Sequence, residues 1–140
     1  MSAEIFVDTN LLFYANTASA DLRHEQARSL IETLRDKPGS AATSVQVLQE
    51  LHVNLVKKAR LSFSDSAQRV RDYLAWKVID NDRSLLSAAF DVQSRWQLGF
   101  WDSMIIAAAQ RSGAPILWSE DLANGQQYDG VRVVNPLSTD

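Results

Sequence analysis

The sequence contains no cysteine, and this absence excludes both disulfide bonds and metal sites built from thiolates. A chain without thiols suits the reducing cytoplasm, where we expect the protein to reside. No stretch approaches the roughly 20 apolar residues that a membrane-spanning helix requires. The N-terminus also lacks a basic region followed by a long apolar core, so we expect neither a membrane span nor a secretory signal.

The chain also has no net positive charge. The chain has 14 lysine and arginine residues and 17 aspartate and glutamate residues, which gives a formal net charge of −3. This balance argues against binding nucleic acid by overall charge. A nucleic-acid-binding protein of this composition therefore needs a bound cation or a local basic patch.

Internal repeats, low-complexity tracts and linkers are also absent from the 140 residues. A chain of this length favours one domain, and a hydrophobic content of 46% is sufficient for a buried core. We therefore predict a single domain over residues 1–140, with a loose C-terminal tail from about residue 136.

The remaining pattern alternates strands and helices from end to end, which predicts one three-layer α/β/α sandwich with a short, mainly parallel sheet. In the fourth helix we expect Val70 and Leu74 to point inward, and we expect Gly99 to end the fifth. His24 is expected to be solvated. The predicted strands cover residues 5–7, 41–43, 77–79, 116–118 and, as an edge strand, 131–134; the predicted helices cover about 10–16, 22–36, 45–58, 62 or 64 to 74, 83–97 and 100–111.

Four acidic residues stand at informative places in this pattern. Asp8 and Asp121 follow buried strands, Asp102 lies in the first turn of an apolar helix, and Glu50 lies at the rim of a buried helix face. Each has a plain alternative: Asp8 and Asp102 as helix caps, Asp121 as a turn residue, and Glu50 as a solvated helix residue.

Together these acids predict a ligand site, because the carboxyl ends of parallel strands meet at one edge of a sheet. Several carboxylates in one crevice repel each other unless protons or a cation intervene. Ligand sets made only of oxygen favour hard ions, so we expect Mg²⁺ or Mn²⁺.

Short segments around these four acids resemble the acidic motifs of PIN domains, and their order, their separations and the chain length resemble VapC-type toxins. The similarity extends over essentially the whole chain, and it lies in the four segments taken together, since any one of them alone is weak. The segments are residues 6–10 (FVDTN), 49–51 (QEL), 101–105 (WDSMI) and 117–122 (LWSEDL).

The resemblance implies that Asp8, Glu50, Asp102 and Asp121 form an acidic metal-binding cluster. Asp8 and Asp102 match the usual direct ligands, whereas Glu50 and Asp121 match positions that act through water. The supporting polar positions that match are Thr9, Asn10 and Ser119.

The same resemblance implies a ribonuclease that is usually dimeric and is held inactive by a VapB-like antitoxin. Such an enzyme hydrolyses RNA by metal-assisted in-line attack of water, and we expect a 5′-phosphate and a 3′-hydroxyl as products. Lys57, Lys58 and Arg60 are candidates for contacts with the phosphate backbone, although cations are also favoured where a helix ends.

Three other functions are compatible with parts of the pattern. A PIN nuclease of RNA processing would share the acids without being a toxin. A PIN-like binding module would share the fold, but four unpaired carboxylates would be costly to retain. A phosphatase of the haloacid dehalogenase kind begins in a similar way, but it requires a second aspartate where this chain has Asn10.

Overall fold

A computed structural model describes residues 3–137, and within them six strands form one sheet in the order β3-β2-β1-β4-β6-β5. All but the first two residues of the predicted loose tail lie outside this described range. Leu137, the last described residue, is buried. The strands are β1 (Ile5–Val7), β2 (Ala41–Ser44), β3 (Lys77–Ile79), β4 (Ile116–Trp118), β5 (Gln127–Tyr128) and β6 (Val131–Val134).

Five of these strands run parallel, and β5 joins β6 as an antiparallel edge. The chain moves outward from β1 through β2 to β3, and it then crosses back to place β4 on the other side of β1. The strand order therefore reverses between β1 and β4, which is where an open α/β sheet places its ligand crevice.

Helices cover the sheet on both faces, as the alternating pattern predicts. Helix α1 packs against α2 and α3, and α3 packs against α4, whereas α5 packs against α6 and α6 lies on β2, β3 and β6. Right-handed crossovers account for this division. The connections from β1 to β2 and from β2 to β3 run in one direction along the sheet, whereas the connection from β3 to β4 runs in the other, so their helices lie on opposite faces. The helices are α1 (Thr9–Ala15), α2 (Leu22–Arg35), α3 (Val45–Lys57), α4 (Phe63–Asp72), α5 (Arg83–Trp96) and α6 (Phe100–Ser112).

The core is centred on β1, β2 and α6, and the burial of β1 and α6 is as expected for an apolar strand and a helix that is apolar nearly all round. Phe6, Val7 and all four residues of β2 are buried, and so is every residue from Ser103 to Ala109. This rigid centre holds the first turns of α1 and α6, which carry the acids. None of the helices among residues 3–137 has the length and apolarity needed to cross a bilayer.

The last predicted strand is not at the edge of the sheet. Val131–Val134 lies between β4 and a two-residue strand, Gln127–Tyr128, that the sequence analysis missed. Asp129 and Gly130 join the two strands with φ values of 47° and 96°. Positive φ at both central residues is the geometry of a tight hairpin turn, for which Asp-Gly is a strong sequence signal.

The predicted inward position of Leu74 is wrong, because Leu74 is 58% exposed and Tyr73 is buried instead. Helix α4 ends at Asp72, and Tyr73–Ala75 form a tighter 3-10 turn. This turn has three residues per turn instead of 3.6, so it changes which side chain faces the core. Val70 is half-buried.

Two smaller expectations also need correction. Gln97 ends α5 in the left-handed conformation, and Gly99 instead precedes α6 as its N-terminal cap. His24 is half-buried rather than solvated, because its Nδ1 lies 2.7 Å from Thr17 Oγ1 and its ring packs edge-on against Tyr14.

Candidate active site

The four predicted acids enter the site from four different elements. Asp8 follows β1 and caps α1, while Asp121 follows the neighbouring strand β4. Glu50 comes from the second turn of α3, and Asp102 comes from the first turn of α6. Backbone pairing holds the first two positions together, since the Asp8 amide donates to the Trp118 carbonyl at 3.0 Å.

Asp8 is the most enclosed acid, with 7% of its surface exposed. Its Oδ1 accepts from the Thr9 amide at 2.7 Å, so the capping role proposed as an alternative is real. Its Oδ2 accepts from the Ser119 hydroxyl at 2.8 Å. One carboxylate thus caps a helix and is oriented by the strand beside it.

Glu50 is held by two side chains. Thr9 Oγ1 donates to its Oε2 at 2.8 Å, and Gln46 Nε2 donates to its Oε1 at 2.9 Å. Gln46 is buried and lies one helical turn before Glu50, as its i−4 spacing requires. Because both carboxylate oxygens are engaged, Glu50 is not the freely solvated residue of the alternative interpretation.

Asp121 and Asp102 differ in how firmly they are held. Asn10 Nδ2 donates to Asp121 Oδ2 at 3.0 Å, and Asn10 Oδ1 accepts from the Glu120 amide at 3.1 Å. Within residues 3–137, no hydrogen bond to the Asp102 carboxylate is present. Asp102 is exposed, so its carboxylate is free to adjust to a ligand.

Burial and electrostatic repulsion change the pKa values of two of these acids. Burial raises the pKa of Asp8 from 3.8 to about 6, and the charges of Glu50 and Asp121 contribute further while its two hydrogen bonds oppose the rise. Partial burial, followed by the charges of Asp121 and Glu50, also raises the pKa of Asp102. Glu50 and Asp121 influence both of the others and so link the four acids into one acidic cluster, in which Asp8 and Asp102, both within the described residues, show no direct influence on each other.

Positive charge does not compensate this cluster. Across the described part of the chain, the ion pairs involve Asp21, Glu120, Asp129 and Asp82, and none involves the four acids. Carboxylates that face each other without a cation retain an unfavourable repulsion. A bound divalent ion would relieve this repulsion.

A neighbouring network was missed in the sequence analysis. Glu120 Oε1 accepts from the Tyr14 hydroxyl at 2.7 Å, and Arg23 Nη1 lies 3.0 Å from Glu120 Oε2. Arg23 also pairs with Asp21 and lies over the Tyr14 ring, 4.8 Å from its centroid. Arg23 therefore neutralises Glu120, whereas the adjacent Asp121 has no ion pair in the described part of the chain. No local signal joins residues so distant in the chain.

A cavity of about 290 Å³ opens onto this edge of the sheet, and its lining includes Thr9, Glu50 and Asp121. Lys58 is the cation of the predicted basic group that lines it. Lys57 and Arg60 are exposed but do not line this cavity in the described structure, so the structure does not bring the predicted group together.

The type of donor atom at this site suits a hard divalent ion, but the described side chains do not form a complete set of ligands around one point. The donors are carboxylate oxygens, yet within residues 3–137 no three acidic or histidine side chains converge closely enough to hold an ion between them. Mg²⁺ usually takes one or two carboxylates and fills its remaining positions with water and substrate phosphate. A site of two direct carboxylates, with others acting through water, meets that preference.

The family model for the PIN domain matches residues 5–123, a span that includes all four acids. The chain belongs to the PIN domain family. This membership excludes the haloacid dehalogenase alternative. No curated protein matches this PIN domain in a sequence search.

Solved structures share the fold of this PIN domain at low identity. VapC20 of Mycobacterium tuberculosis, described as a sarcin-ricin loop cleaving toxin, is 23% identical, with a TM-score of 0.65 over 84% of this chain and 90% of its own. A toxin–antitoxin complex from Klebsiella pneumoniae is 21% identical, with a TM-score of 0.68 over 96% and 98%. DNA-bound VapBC from Salmonella typhimurium is 18% identical, with a TM-score of 0.64 over 94% and 96%. The predicted three-layer fold with a mainly parallel sheet is thereby confirmed.

Proposed function

We propose that this PIN domain is a divalent-metal-dependent endoribonuclease, the toxin of a VapBC-like toxin–antitoxin pair. The proposal is supported by three observations: Asp8 and Asp121 follow the two strands at the reversal point of the sheet, Thr9 joins Asp8 to Glu50, and the charges of Glu50 and Asp121 act on both Asp8 and Asp102. Family membership supports the nuclease class, and the likeness to VapC structures supports the toxin class.

Asp8 and Asp102 would hold Mg²⁺ or Mn²⁺, with Glu50 and Asp121 acting through water. When bound, the ion supplies charge neutralisation at the phosphate and lowers the pKa of a water molecule. The chain's own task is to keep its carboxylates ionised and correctly directed. Ser119 and the Thr9 amide do this for Asp8, and both hydrogen bonds lower the pKa of Asp8 against the effect of burial.

Hydrogen bonds from neighbouring side chains orient the remaining acids. Thr9 bridges the cluster, since its amide binds Asp8 and its hydroxyl binds Glu50. Asn10 holds Asp121 and the Glu120 amide together, which fixes the loop after β4. These contacts make Thr9, Asn10, Ser119 and Gln46 positioning residues, because each acts through a carboxylate.

Cleavage of RNA by matched variants tests the nuclease proposal. Wild-type protein, Asp8→Asn, Asp102→Asn and Glu32→Gln are incubated with RNA and Mg²⁺ or Mn²⁺, and the products are separated on a denaturing gel. Glu32 is exposed on α2, outside the acidic cluster, so its variant should cut like wild type. We expect the aspartate variants to lose at least about 100-fold in rate, as typical when groups that stabilise the transition state are removed.

The outcome decides between the classes of function. Equal cleavage by all four proteins would identify a contaminating nuclease and refute the proposal. Absence of cleavage together with absence of divalent-ion binding would favour the non-catalytic PIN-like module instead.

The VapB-like antitoxin is the partner that the proposal implies. Structures similar to this PIN domain include toxin–antitoxin complexes, some of them bound to DNA. The check is to search for a small open reading frame immediately upstream of the gene; the purified product of such a frame should inhibit RNA cleavage at equimolar concentration. A chain that cuts RNA, does not arrest growth and has no such inhibitor would instead be a nuclease of RNA processing.

A homodimer is the second expected assembly, with another copy of this chain covering an aromatic patch. The patch consists of Phe90, Phe100 and Trp101. The ring centroids of Phe90 and Phe100 are 5.9 Å apart, and those of Phe100 and Trp101 are 4.9 Å apart. Trp101 is 63% exposed in the single chain. Trp101→Ser should lower the mass measured by sedimentation from dimer to monomer, whereas Leu22→Ser, at an equally exposed position on α2, should not. A monomeric wild type would exclude the dimer.

A further inference from the structure

A larger cavity lies directly beside the acidic one. Its volume is about 700 Å³, which falls within the roughly 300–1,000 Å³ of typical ligand sites. Phe13 and Lys58 line both cavities, so the two are adjacent. We call this larger cavity the basic groove. Its lining includes Phe13, Arg28, Lys58, Leu61 and Arg69.

The basic groove carries the charge that the acidic site lacks. Arg28 projects from α2, Lys58 follows α3 and Arg69 projects from α4, while no acidic residue lines the groove within the described part of the chain. None of these three cations forms an ion pair with a carboxylate in residues 3–137. A chain with a net charge of −3 therefore concentrates unpaired positive charge next to its acidic cluster.

The two arginines are directed by backbone oxygens rather than by acids. Arg28 Nη2 donates to the Thr17 carbonyl at 3.0 Å, and Arg69 Nη1 donates to the Asn16 carbonyl at 3.2 Å. Each guanidinium has five N–H donors, so one such bond fixes its position and leaves donors for an anion. Groups directed in this way suit bidentate binding of phosphate oxygens.

Apolar side chains line the groove beside these cations. Phe13 and Leu61 line the groove together with the two arginines. Positive charge interleaved with aromatic and apolar surface is typical of sites for single-stranded nucleic acid, where phosphates contact the cations and bases stack on the rings.

We propose that the basic groove binds the single-stranded RNA segment that flanks the cleaved bond, with Arg28, Lys58 and Arg69 contacting its phosphates. The proposal rests on the proposed nuclease function, because it assigns the flanking part of the same substrate. It also replaces the predicted trio of Lys57, Lys58 and Arg60, of which only Lys58 is retained.

The salt dependence of RNA binding tests the groove without requiring cleavage. Binding of a fluorescent 12-nucleotide oligouridylate is measured by anisotropy over a series of salt concentrations in EDTA. Each phosphate contact to a single strand contributes about 0.7 to the slope of log K against log salt concentration. Arg28→Gln, Lys58→Gln and Arg69→Gln should each reduce the slope by about 0.7. Arg83→Gln, at an exposed position at the start of α5, should leave it unchanged.

Two conservative variants separate charge from folding. Arg28→Lys and Arg69→Lys retain the charge, so they should keep nearly the wild-type slope even though they lose the planar fork. Lys58 is exposed and makes no side-chain hydrogen bond in the described structure, so Lys58→Gln tests the groove even if an arginine variant unfolds.

The outcomes of the two proposals are distinguishable. Unchanged slopes in all three glutamine variants would overturn the groove, and they would leave the nuclease to be judged by Asp8→Asn. Reduced slopes in a protein that cuts no RNA would support RNA binding by the groove, but they would refute the nuclease and with it the assignment of the bound segment to the flank of a cleaved bond. Unchanged slopes accompanied by weaker binding of the antitoxin would assign the groove to an acidic protein segment, which also overturns the proposal.

Discussion

At the scale of single residues, the burial of Asp8 makes the site costly to keep charged. In the protein without metal, the folded-state pKa of about 6 exceeds the unfolded value of about 3.9. The folded chain therefore binds the proton more tightly. The stability due to protonated Asp8 is present below about pH 4 and is lost as the pH rises through about 6. Two pKa units correspond to about 3 kcal/mol.

Asp8→Asn should therefore stabilise the metal-free protein at neutral pH. The amide oxygen can still accept from the Thr9 amide, and the amide nitrogen can donate to Ser119 Oγ. Urea unfolding in EDTA should show Asp8→Asn more stable than wild type by up to about 3 kcal/mol at pH 7.5, and nearly equal at pH 4. Glu32→Gln should show no such difference between the two pH values. An Asp8→Asn variant that is less stable at pH 7.5 would contradict the raised pKa of Asp8.

Ser119 offers a second test at this scale. Its hydroxyl donates to Asp8 Oδ2 and lies 3.2 Å from the Asp121 amide, so it positions two acids at once. Ser119→Ala should reduce cleavage by about 10–100-fold, as observed when groups supporting metal ligands are removed. It should also move the acid limb of the pH–rate profile to higher pH, because a bond that lowers the pKa of Asp8 is lost.

Ser87→Ala, at an exposed position on α5, is the matched control and should change neither rate nor profile. A rate loss in Ser119→Ala with an unshifted profile would indicate a packing role rather than an effect on Asp8.

Which site residues could be predicted depended on their place in the chain. Asp8 and Asp121 were found because each follows a buried strand, and Asp102 because it opens a buried helix. The contact of Arg23 with Glu120 could not be found, since it joins residues 97 positions apart whose surroundings carry no periodic pattern. The metal-binding roles remain predictions, because the structure shows positions and charges but not ligation.

At the scale of elements, two glycines should respond oppositely to substitution. Gly130 has a φ of 96° in the hairpin between β5 and β6, where a side chain is strained although the space around it is open. Gly130→Ala should destabilise the protein by about 1–2 kcal/mol. Gly99 has a φ of −62° and precedes α6 without a side-chain cap. Gly99→Ser adds a capping hydroxyl and should stabilise the protein by a few tenths of a kcal/mol. Thermal unfolding measures both, and equal effects would refute the strain assigned to Gly130.

The elements also show where sequence patterns are sufficient. The helix ranges predicted from the sequence correspond to α2, α3 and α5, and the structure shows Asp21, Ser44 and Asp82 capping the N-termini of these helices. A two-residue strand such as β5 has no periodicity of its own and depends on pairing with β6. The predicted inward position of Leu74 was wrong for a related reason, since the hydrophobic pattern of the sequence does not reveal a change from α-helical to 3-10 geometry.

At the scale of the whole molecule, topology brings together residues that are 111 positions apart, as Asn10 and Asp121 are. It also distributes the charges unevenly: Glu50 and Asp121 line the smaller cavity without an ion pair within residues 3–137, Arg28 and Arg69 line the larger one, and Lys58 lines both. A metal-free molecule thus repels an anionic substrate at one cavity and attracts it at the other. A divalent ion bound at the four acids would remove the conflict, which would make the ion a condition for productive binding as well as for chemistry.

Divalent ions should therefore stabilise the whole fold through this one cluster. An ion present at about 100 times its Kd adds about 2.7 kcal/mol to the free energy of unfolding. For a chain of this size that is a rise in Tm of about 10 °C. Scanning calorimetry with MgCl₂ or MnCl₂ should show this rise in wild type and in Glu32→Gln, measured against NaCl at equal ionic strength. Asp8→Asn combined with Asp102→Asn should abolish it. A rise of equal size in the double variant would place the ion elsewhere, and the carboxylates of this edge would then need another explanation.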